Sequence, residues 1–157
     1  MKPSVYVETS LASYLVAWPS ESVITAAHQG LTHQWWQTRR AAFDLYVSEL
    51  VLLEARAGDP DAAARRLAAL AGIPVLEPTI AAEALTEQIL HANLVPAKAR
   101  VDAAHIAIAA VHGMDYLVTW NCRHIANAVT RKRIDQLLRG AGYEAPVLCT
   151  PEELLEG

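Results

Sequence analysis

Four side chains with oxygen atoms occur where a parallel sheet would expose them. Glu8 ends the first predicted strand, SVYVE, and Asn121 lies two residues beyond another, DYLVT. Glu54 lies in the predicted helix after the second strand, and Asp102 lies in the first turn of a long apolar helix. The functional crevice of an open parallel sheet lies beyond the carboxyl ends of its strands. We therefore expect these residues to converge there.

Each of the four residues also has an ordinary structural explanation. Asp102 suits a helix N-terminus through the helix dipole, and Asn121 suits the N-cap of the helix that follows it. Glu8 and Glu54 could simply face solvent. Because isolated carboxylates are weak markers of a functional site, the prediction of a site depends on the whole set.

The set of three carboxylates and one amide would form a site with oxygen ligands only. Such ligands suit Mg²⁺ or Mn²⁺ and are unattractive to metals that prefer thiolate. Mg²⁺ keeps several waters, so some carboxylates can orient or deprotonate a water. The natural substrate is a phosphodiester, because its anionic oxygens complete the coordination sphere. The residues leave open which acid is the general base and whether one metal or two are bound.

The elements that would position these residues alternate between strand and helix. Short apolar strands are predicted at residues 4–8, 44–48, 73–77, 115–119 and 146–150. Helices are predicted from Ser10, at 20–42, from Glu49 to a stop at Gly58, at 61–71, 79–93 and 97–112, within 121–142 with a break near Asn127, and after the N-cap Thr150. Apolar strands separated by helices are typical of a mostly parallel sheet that is covered on both faces. We predict an α/β fold.

Composition narrows the class of protein. The 157 residues fall in the size range of one domain, so residues 1–157 are expected to form a single domain. The chain is 53% hydrophobic and 19% charged, too apolar for disorder, and it has no apolar run near the roughly 18 residues of a membrane span. A formal charge of −4 argues against coating of nucleic acid by bulk charge. With two cysteines and no apolar leader at the N-terminus, a cytoplasmic location is expected.

Three segments of the chain together resemble a known family. VYVETS, VSELVLLEARAGDP and KARVDAAHIAIAAVHGMDYLVTWNCRHIAN are similar to PIN domains, particularly the toxin ribonucleases of bacterial type II toxin-antitoxin pairs. The resemblance covers nearly the whole chain, and residues 98–127 are its most specific part. It implies a PIN-like three-layer α/β/α sandwich, an endoribonuclease that depends on Mg²⁺ or Mn²⁺, and inhibition by a cognate antitoxin. It also implies a homodimer.

The acidic positions of the family correspond to residues of this chain. The first acid falls on Glu8, and the second falls on Glu54, with Glu49 as a competing choice. The third falls on Asp102, and the fourth position is Asn121. The resemblance thus implies that Glu8, Glu54 and Asp102 hold the metal.

Two of these positions depart from the family pattern. Glu8 stands where Asp is usual, and its extra methylene would move a ligand by about 1.5 Å, which Mg²⁺ tolerates poorly. Asn121 replaces an acid and cannot act as a general base, although together with Thr119 it can position water or phosphate. A second hypothesis is therefore a PIN-fold module that binds RNA or protein with impaired catalysis.

Two further features have alternative interpretations. His105 shares a helix face with Asp102, three residues away, and either helps to bind phosphate or is a packed histidine. The Trp35-Trp36 pair, with the two arginines that follow, either stacks on single-stranded bases or packs into a core or an interface. We expect packing in both cases.

Overall fold

The computed structural model describes residues 1–157 and contains a five-stranded parallel sheet. The strands are β1 (Ser4–Val7), β2 (Asp44–Ser48), β3 (Val75–Leu76), β4 (Tyr116–Val118) and β5 (Val147–Cys149). Their order is β3-β2-β1-β4-β5, and every neighbouring pair is parallel. The mostly parallel sheet predicted from the sequence is confirmed, with β1 at its centre.

Seven α-helices connect and cover the strands. They are α1 (Thr9–Val16), α2 (Val23–Thr38), α3 (Glu49–Ala55), α4 (Pro60–Leu70), α5 (Ile80–His91), α6 (Arg100–Val111) and α7 (Ala128–Gly140). Short 3₁₀ turns lie at Arg40–Ala42, Ala97–Ala99 and Pro151–Leu154. No helix combines the length and the apolar character that crossing a membrane requires.

The central strand shows that both faces of the sheet are covered. Successive side chains of a strand point to opposite faces, and Val5, Tyr6 and Val7 are all fully buried. Helices must therefore exclude water from both sides, which gives the three-layer α/β/α arrangement. These strand residues belong to one connected core of 32 buried side chains.

The tryptophan pair packs as expected. Trp35 is fully buried and its ring lies 6.0 Å from that of Phe43. Trp36 is partly buried, and the guanidinium of Arg40 lies 3.9 Å from its ring centroid. The aromatic ring of Trp35 therefore stabilises the core and is not available to bases.

Several element boundaries differ from the prediction because local capping sets them. The helix predicted at 20–42 begins at Val23, where the side chain of Ser22 accepts a hydrogen bond from the Thr25 backbone, and it ends at Thr38. The segment 121–142 is helical only from Ala128. The break expected near Asn127 is confirmed, because its side chain caps α7.

The last predicted helix is a single 3₁₀ turn, Pro151–Leu154. Its predicted start is confirmed, since Thr150 and Glu153 form the capping box.

Candidate functional site

The ends of β1 and β4 meet at one edge of the sheet. The register pairs Val7 with Val118, so Glu8 and Thr119 follow their strands side by side. The Thr119 hydroxyl donates a hydrogen bond of 2.6 Å to Oε1 of Glu8. Adjacent parallel strands thus bring together two residues that are 111 positions apart in the sequence.

Glu8 is nearly buried, with 5% of its surface exposed, and a second hydroxyl also holds Oε1. Ser10 Oγ donates to this oxygen at 2.5 Å. Each hydroxyl in turn accepts a backbone N–H, from Trp120 for Ser10 and from Asn121 for Thr119. These amides leave the hydroxyl protons free to donate to the carboxylate, so the orientation of Glu8 is fixed.

Glu54 on α3 is held in the same way from another direction. Its Oε1 accepts the Thr9 hydroxyl and pairs with Nε2 of His105, both at 2.6 Å. Partial burial raises the pKa of the Glu54 carboxyl, but the hydrogen bond and electrostatic attraction of His105 and the hydrogen bond of Thr9 outweigh burial, so its pKa is lowered. Glu54 is therefore ionised at neutral pH.

The two glutamates share one feature that suits a cation. In each, two partners hold Oε1, whereas Oε2 accepts no hydrogen bond within the chain. Oε2 of Glu8 lies 3.9 Å from Nε2 of His105. Ligand atoms of Glu8, Glu54 and His105 all lie within 4.8 Å of one another. Two fixed carboxylates that each present a free oxygen fit a hard cation with several waters.

Asp102 lies on α6, one turn before His105. It is half-buried, and its carboxylate makes no hydrogen bond or ion pair. It is not among the three residues whose ligand atoms lie within 4.8 Å of one another. Its carboxylate is therefore free, and its contact with a metal stays a prediction.

The side chain of Asn121 caps the turn that follows β4. Its Oδ1 accepts the backbone N–H of His124 at 3.0 Å, while its amide nitrogen donates no hydrogen bond within the chain. The expected N-cap role is wrong, because Asn127 caps the following helix, α7. The oxygen of Asn121 instead caps a turn, and only its amide nitrogen remains without a partner in the chain.

The structure separates the two glutamates that competed for one position. Glu49 is exposed in the first turn of α3 and makes no side-chain hydrogen bond or ion pair. Glu54 lies beside Glu8. Geometry therefore favours Glu54 as the second acid.

The sequence analysis missed most of the residues that hold the carboxylates. His105 is fully buried, so it is a packed histidine, and its Nδ1 lies 2.6 Å from the Tyr6 hydroxyl. Tyr6 also contacts Ser48 Oγ at 2.8 Å, and burial raises its pKa far above the ordinary value, which keeps the phenol neutral. The Thr9-Ser10 pair directly after Glu8 was the one sequence feature that could have identified hydroxyl donors.

Comparison with known proteins identifies the fold. No family model matches the chain, and no curated protein matches it by sequence. The crystal structure of VapC20 from Mycobacterium tuberculosis, described as a sarcin-ricin loop cleaving toxin, superposes with a TM-score of 0.54 at 19% sequence identity. The match covers 88% of this chain and 95% of that one. The PIN-like α/β/α fold expected from the sequence resemblance is thereby confirmed for this chain.

Proposed function

We propose that this protein is a metal-dependent endoribonuclease, the toxin of a type II toxin-antitoxin pair, built as one PIN-like domain over residues 1–157. The observation that carries the proposal is the pair of fixed glutamates, Glu8 and Glu54, each with an Oε2 that accepts no hydrogen bond within the chain. The fold shared with a toxin described as cleaving the sarcin-ricin loop supports the same kind of activity.

Glu8, Glu54 and Asp102 would hold Mg²⁺ or Mn²⁺. Such a cation, when bound, would acidify a water and stabilise the charge that develops on a phosphodiester. Glu8 and Glu54 are carboxylates whose rotational freedom is already restricted in the folded state, so little ordering of these two side chains remains to be done on binding. One of these carboxylates would assist deprotonation of the attacking water.

Thr119 and Asn121 would act beside these acids. The Thr119 hydroxyl orients Glu8, as its 2.6 Å hydrogen bond shows. The free amide nitrogen of Asn121 is a donor that would orient water or a phosphate oxygen, although it cannot accept a proton. Thr119 would therefore position a metal ligand and Asn121 would position a reactant, and neither would transfer a proton.

The proposed partners follow from the acidic crevice and the toxin assignment. RNA would reach the site as the substrate, and a cognate antitoxin would cover it with a basic or hydrophobic segment. We also propose a homodimer and a cytoplasmic location.

The proposal is tested by RNA cleavage with purified protein free of antitoxin. Single-stranded and structured RNAs, including a sarcin-ricin loop hairpin, are incubated with Mg²⁺, Mn²⁺ or EDTA. Cleavage should require metal and should disappear in Glu54→Gln. Glu49→Gln is the matched control, because it neutralises an exposed acid on the same helix and should cleave normally. Cleavage that persists in EDTA or in Glu54→Gln would overturn the assignment.

A second candidate is a PIN-fold module that binds RNA or protein without cleaving it. The observation that favours it is the engaged Oδ1 of Asn121, which leaves no fourth oxygen ligand. Absence of cleavage with every metal, from protein shown to be folded, together with retention of RNA on a filter, would establish this alternative.

A further inference from the structure

The segment that leaves β4 is basic, although the formal charge of the chain is −4. Residues 116–134 contain no acidic residue and carry the cations Arg123, Arg131, Lys132 and Arg133. Arg131 is half-buried, and its Nη1 lies 3.8 Å from Oε2 of Glu153. The other three are exposed, and their side chains form no hydrogen bond, ion pair or cation–π contact within the chain. We call these three residues, Arg123, Lys132 and Arg133, the basic surface.

Hydrogen bonds hold the turn that presents Arg123. The side-chain oxygen of Asn121 accepts the His124 backbone N–H, and the Asn121 carbonyl accepts two further backbone N–H groups of the turn. At the other end of the turn, Nδ2 of Asn127 donates to the Arg123 carbonyl at 3.2 Å. The backbone of Arg123 is thus fixed beside the N-cap of α7, and only its side chain is free to rotate.

Lys132 and Arg133 lie on the solvent face of α7. Positions three and four apart share one face of a helix, and Val129, which precedes these residues by three and four positions, is exposed with them. Ile134 and Leu138 mark the opposite face and are fully buried. Arg133 lies about 7.5 Å along the helix axis from the first residue of α7. The basic surface therefore extends from the turn along the first two turns of this helix.

The acids that follow the basic surface face other cations. Asp135 pairs with Arg139 at 2.8 Å, and Glu153 faces Arg131. No acid of the chain forms an ion pair with any residue of the basic surface. Its positive charge is therefore available to an anion from outside the chain.

The basic surface begins beside the proposed acidic site. The Thr119 hydroxyl holds Glu8, and Arg123 follows Thr119 by four residues, so the Cα atoms of Thr119 and Arg123 lie at most about 14 Å apart. An RNA strand with one phosphodiester at the carboxylates places the next phosphates in this region. The carboxylates repel these phosphates, and cations that neutralise them offset the repulsion.

Resting on the proposed function, we propose that Arg123, Lys132 and Arg133 bind the phosphate backbone of the RNA strand as it leaves the acidic site and passes along α7. Such contacts position the strand and do not depend on base sequence. Three phosphate contacts contribute about −2 to the slope of log K against log salt concentration for a single strand. This slope distinguishes a phosphate-binding surface from cations that only face solvent.

The first test measures binding of a short fluorescent oligouridylate in EDTA, where metal-dependent cleavage is blocked. Affinity is measured at several salt concentrations for wild type, for Arg123→Gln, Lys132→Gln and Arg133→Gln, and for the triple variant. Each single replacement should weaken binding about five-fold at about 0.1 M salt and reduce the slope by about 0.7, and the triple variant should lose about 2. Arg133→Lys keeps the charge and should keep the wild-type slope.

Lys2→Gln is the matched control. Lys2 is an exposed cation without a partner that precedes β1, whereas Glu8 follows that strand, so Lys2 lies at the opposite edge of the sheet. Its replacement changes the net charge by the same amount as each test variant and should leave the slope unchanged. Circular dichroism checks that every variant is folded. Equal slopes in wild type and the triple variant, or wild-type protein that binds no RNA, would overturn the inference.

Polyglutamate tests the alternative occupant, an acidic segment of a partner protein. It is titrated against wild type and the triple variant under the same conditions. Replacements that weaken the binding of polyglutamate but leave the binding of RNA unchanged would overturn the assignment to RNA.

Cleavage kinetics separate this inference from the proposed function. Backbone contacts away from the carboxylates are made in the ground state and in the transition state, so the triple variant should raise KM far more than it lowers kcat. Wild-type protein that shows no metal-dependent cleavage would defeat the proposed nuclease. The salt slopes in EDTA would still decide whether the basic surface binds RNA, so the two proposals can fail independently.

Discussion

The Thr119 hydroxyl and the Glu8 carboxylate form a 2.6 Å hydrogen bond across the edge of the sheet. Thr119 is fully buried and Glu8 nearly so, and the backbone N–H of Asn121 directs the hydroxyl proton toward the carboxylate. The bond joins the ends of two adjacent parallel strands. It therefore couples the register of the sheet to the orientation of one proposed metal ligand.

Replacing Thr119 by valine tests this coupling. Valine keeps the shape and removes the donor, so Glu8 should lose part of its fixed orientation. We expect Mn²⁺ affinity to fall about 10-fold or more, with a loss of about 1 kcal/mol in the free energy of unfolding. Isothermal titration with Mn²⁺ and urea unfolding measure the two effects. Thr38→Val is the control, since Thr38 donates to a backbone carbonyl on an exposed part of α2. Equal Mn²⁺ affinity in both variants would contradict the coupling.

Asp102→Asn should abolish metal-dependent cleavage and leave the melting curve largely intact. The carboxylate makes no hydrogen bond or ion pair, so the fold loses only a small favourable interaction with the N-terminus of α6. Cleavage assays with Mg²⁺ and Mn²⁺, alongside thermal melts, test this. Unchanged cleavage would remove Asp102 from the site, whereas a large drop in melting temperature would indicate a structural role.

The sequence predicted the sheet and the edge at which the acids meet, because strand and helix periodicities and the strand-end rule are local. It could not identify His105 as the partner of Glu54, since that contact depends on how α6 packs against α3. A buried histidine on an apolar helix looks the same whether it fills space or holds a carboxylate. Likewise, the sequence around Asn121 was compatible with a metal ligand and with a capping residue. Only the position of the His124 backbone N–H shows that the side-chain oxygen acts as a cap.

Helix lengths were less predictable than helix existence. The apolar spacing of 121–142 continues through the turn, but the side chain of Asn127 accepts the Val129 backbone N–H and starts α7 only there. A cap is one hydrogen bond among several that an asparagine can make. Which hydrogen bond Asn127 makes depends on the path of the chain before it. That path includes the turn after β4, in which the side chain of Asn121 accepts the His124 backbone N–H.

Thr32→Val should destabilise the protein through Trp120. The indole N–H of Trp120 donates to the Thr32 hydroxyl at 2.6 Å, and both residues are buried. Removing the acceptor leaves that N–H unpaired, which costs about 1–3 kcal/mol. Urea unfolding monitored by tryptophan fluorescence measures the loss. Thr32→Ser keeps the hydroxyl and should lose much less, and equal losses in the two variants would show that packing, not the hydrogen bond, is responsible.

Because of Glu54, the free energy of unfolding of the protein should depend on pH in the acidic range. Its pKa in the folded protein lies below the ordinary value of 4.5, because hydrogen bonds outweigh its partial burial. The stabilisation that ionised Glu54 contributes is therefore complete above the pKa that this carboxyl has in the unfolded protein. It is lost as the pH falls through the lower pKa of the folded protein. The difference in unfolding free energy between wild type and Glu54→Gln should narrow between pH 7 and pH 3 without added metal. A difference that stays constant or widens would contradict the assigned direction.

The two cysteines should react at very different rates. Cys149 is buried at the end of β5, and burial together with the charge of Glu153 raises the pKa of its thiol to about 12. Cys122 is exposed, and although burial of part of its side chain also raises its pKa, reagents can reach it. Because the thiolate is the reactive form, Cys149 should be protected by both its pKa and its burial. Alkylation at pH 8 followed by mass spectrometry should modify Cys122 first and Cys149 only after denaturation. Rapid modification of both in the native protein would show that β5 opens readily at its edge of the sheet.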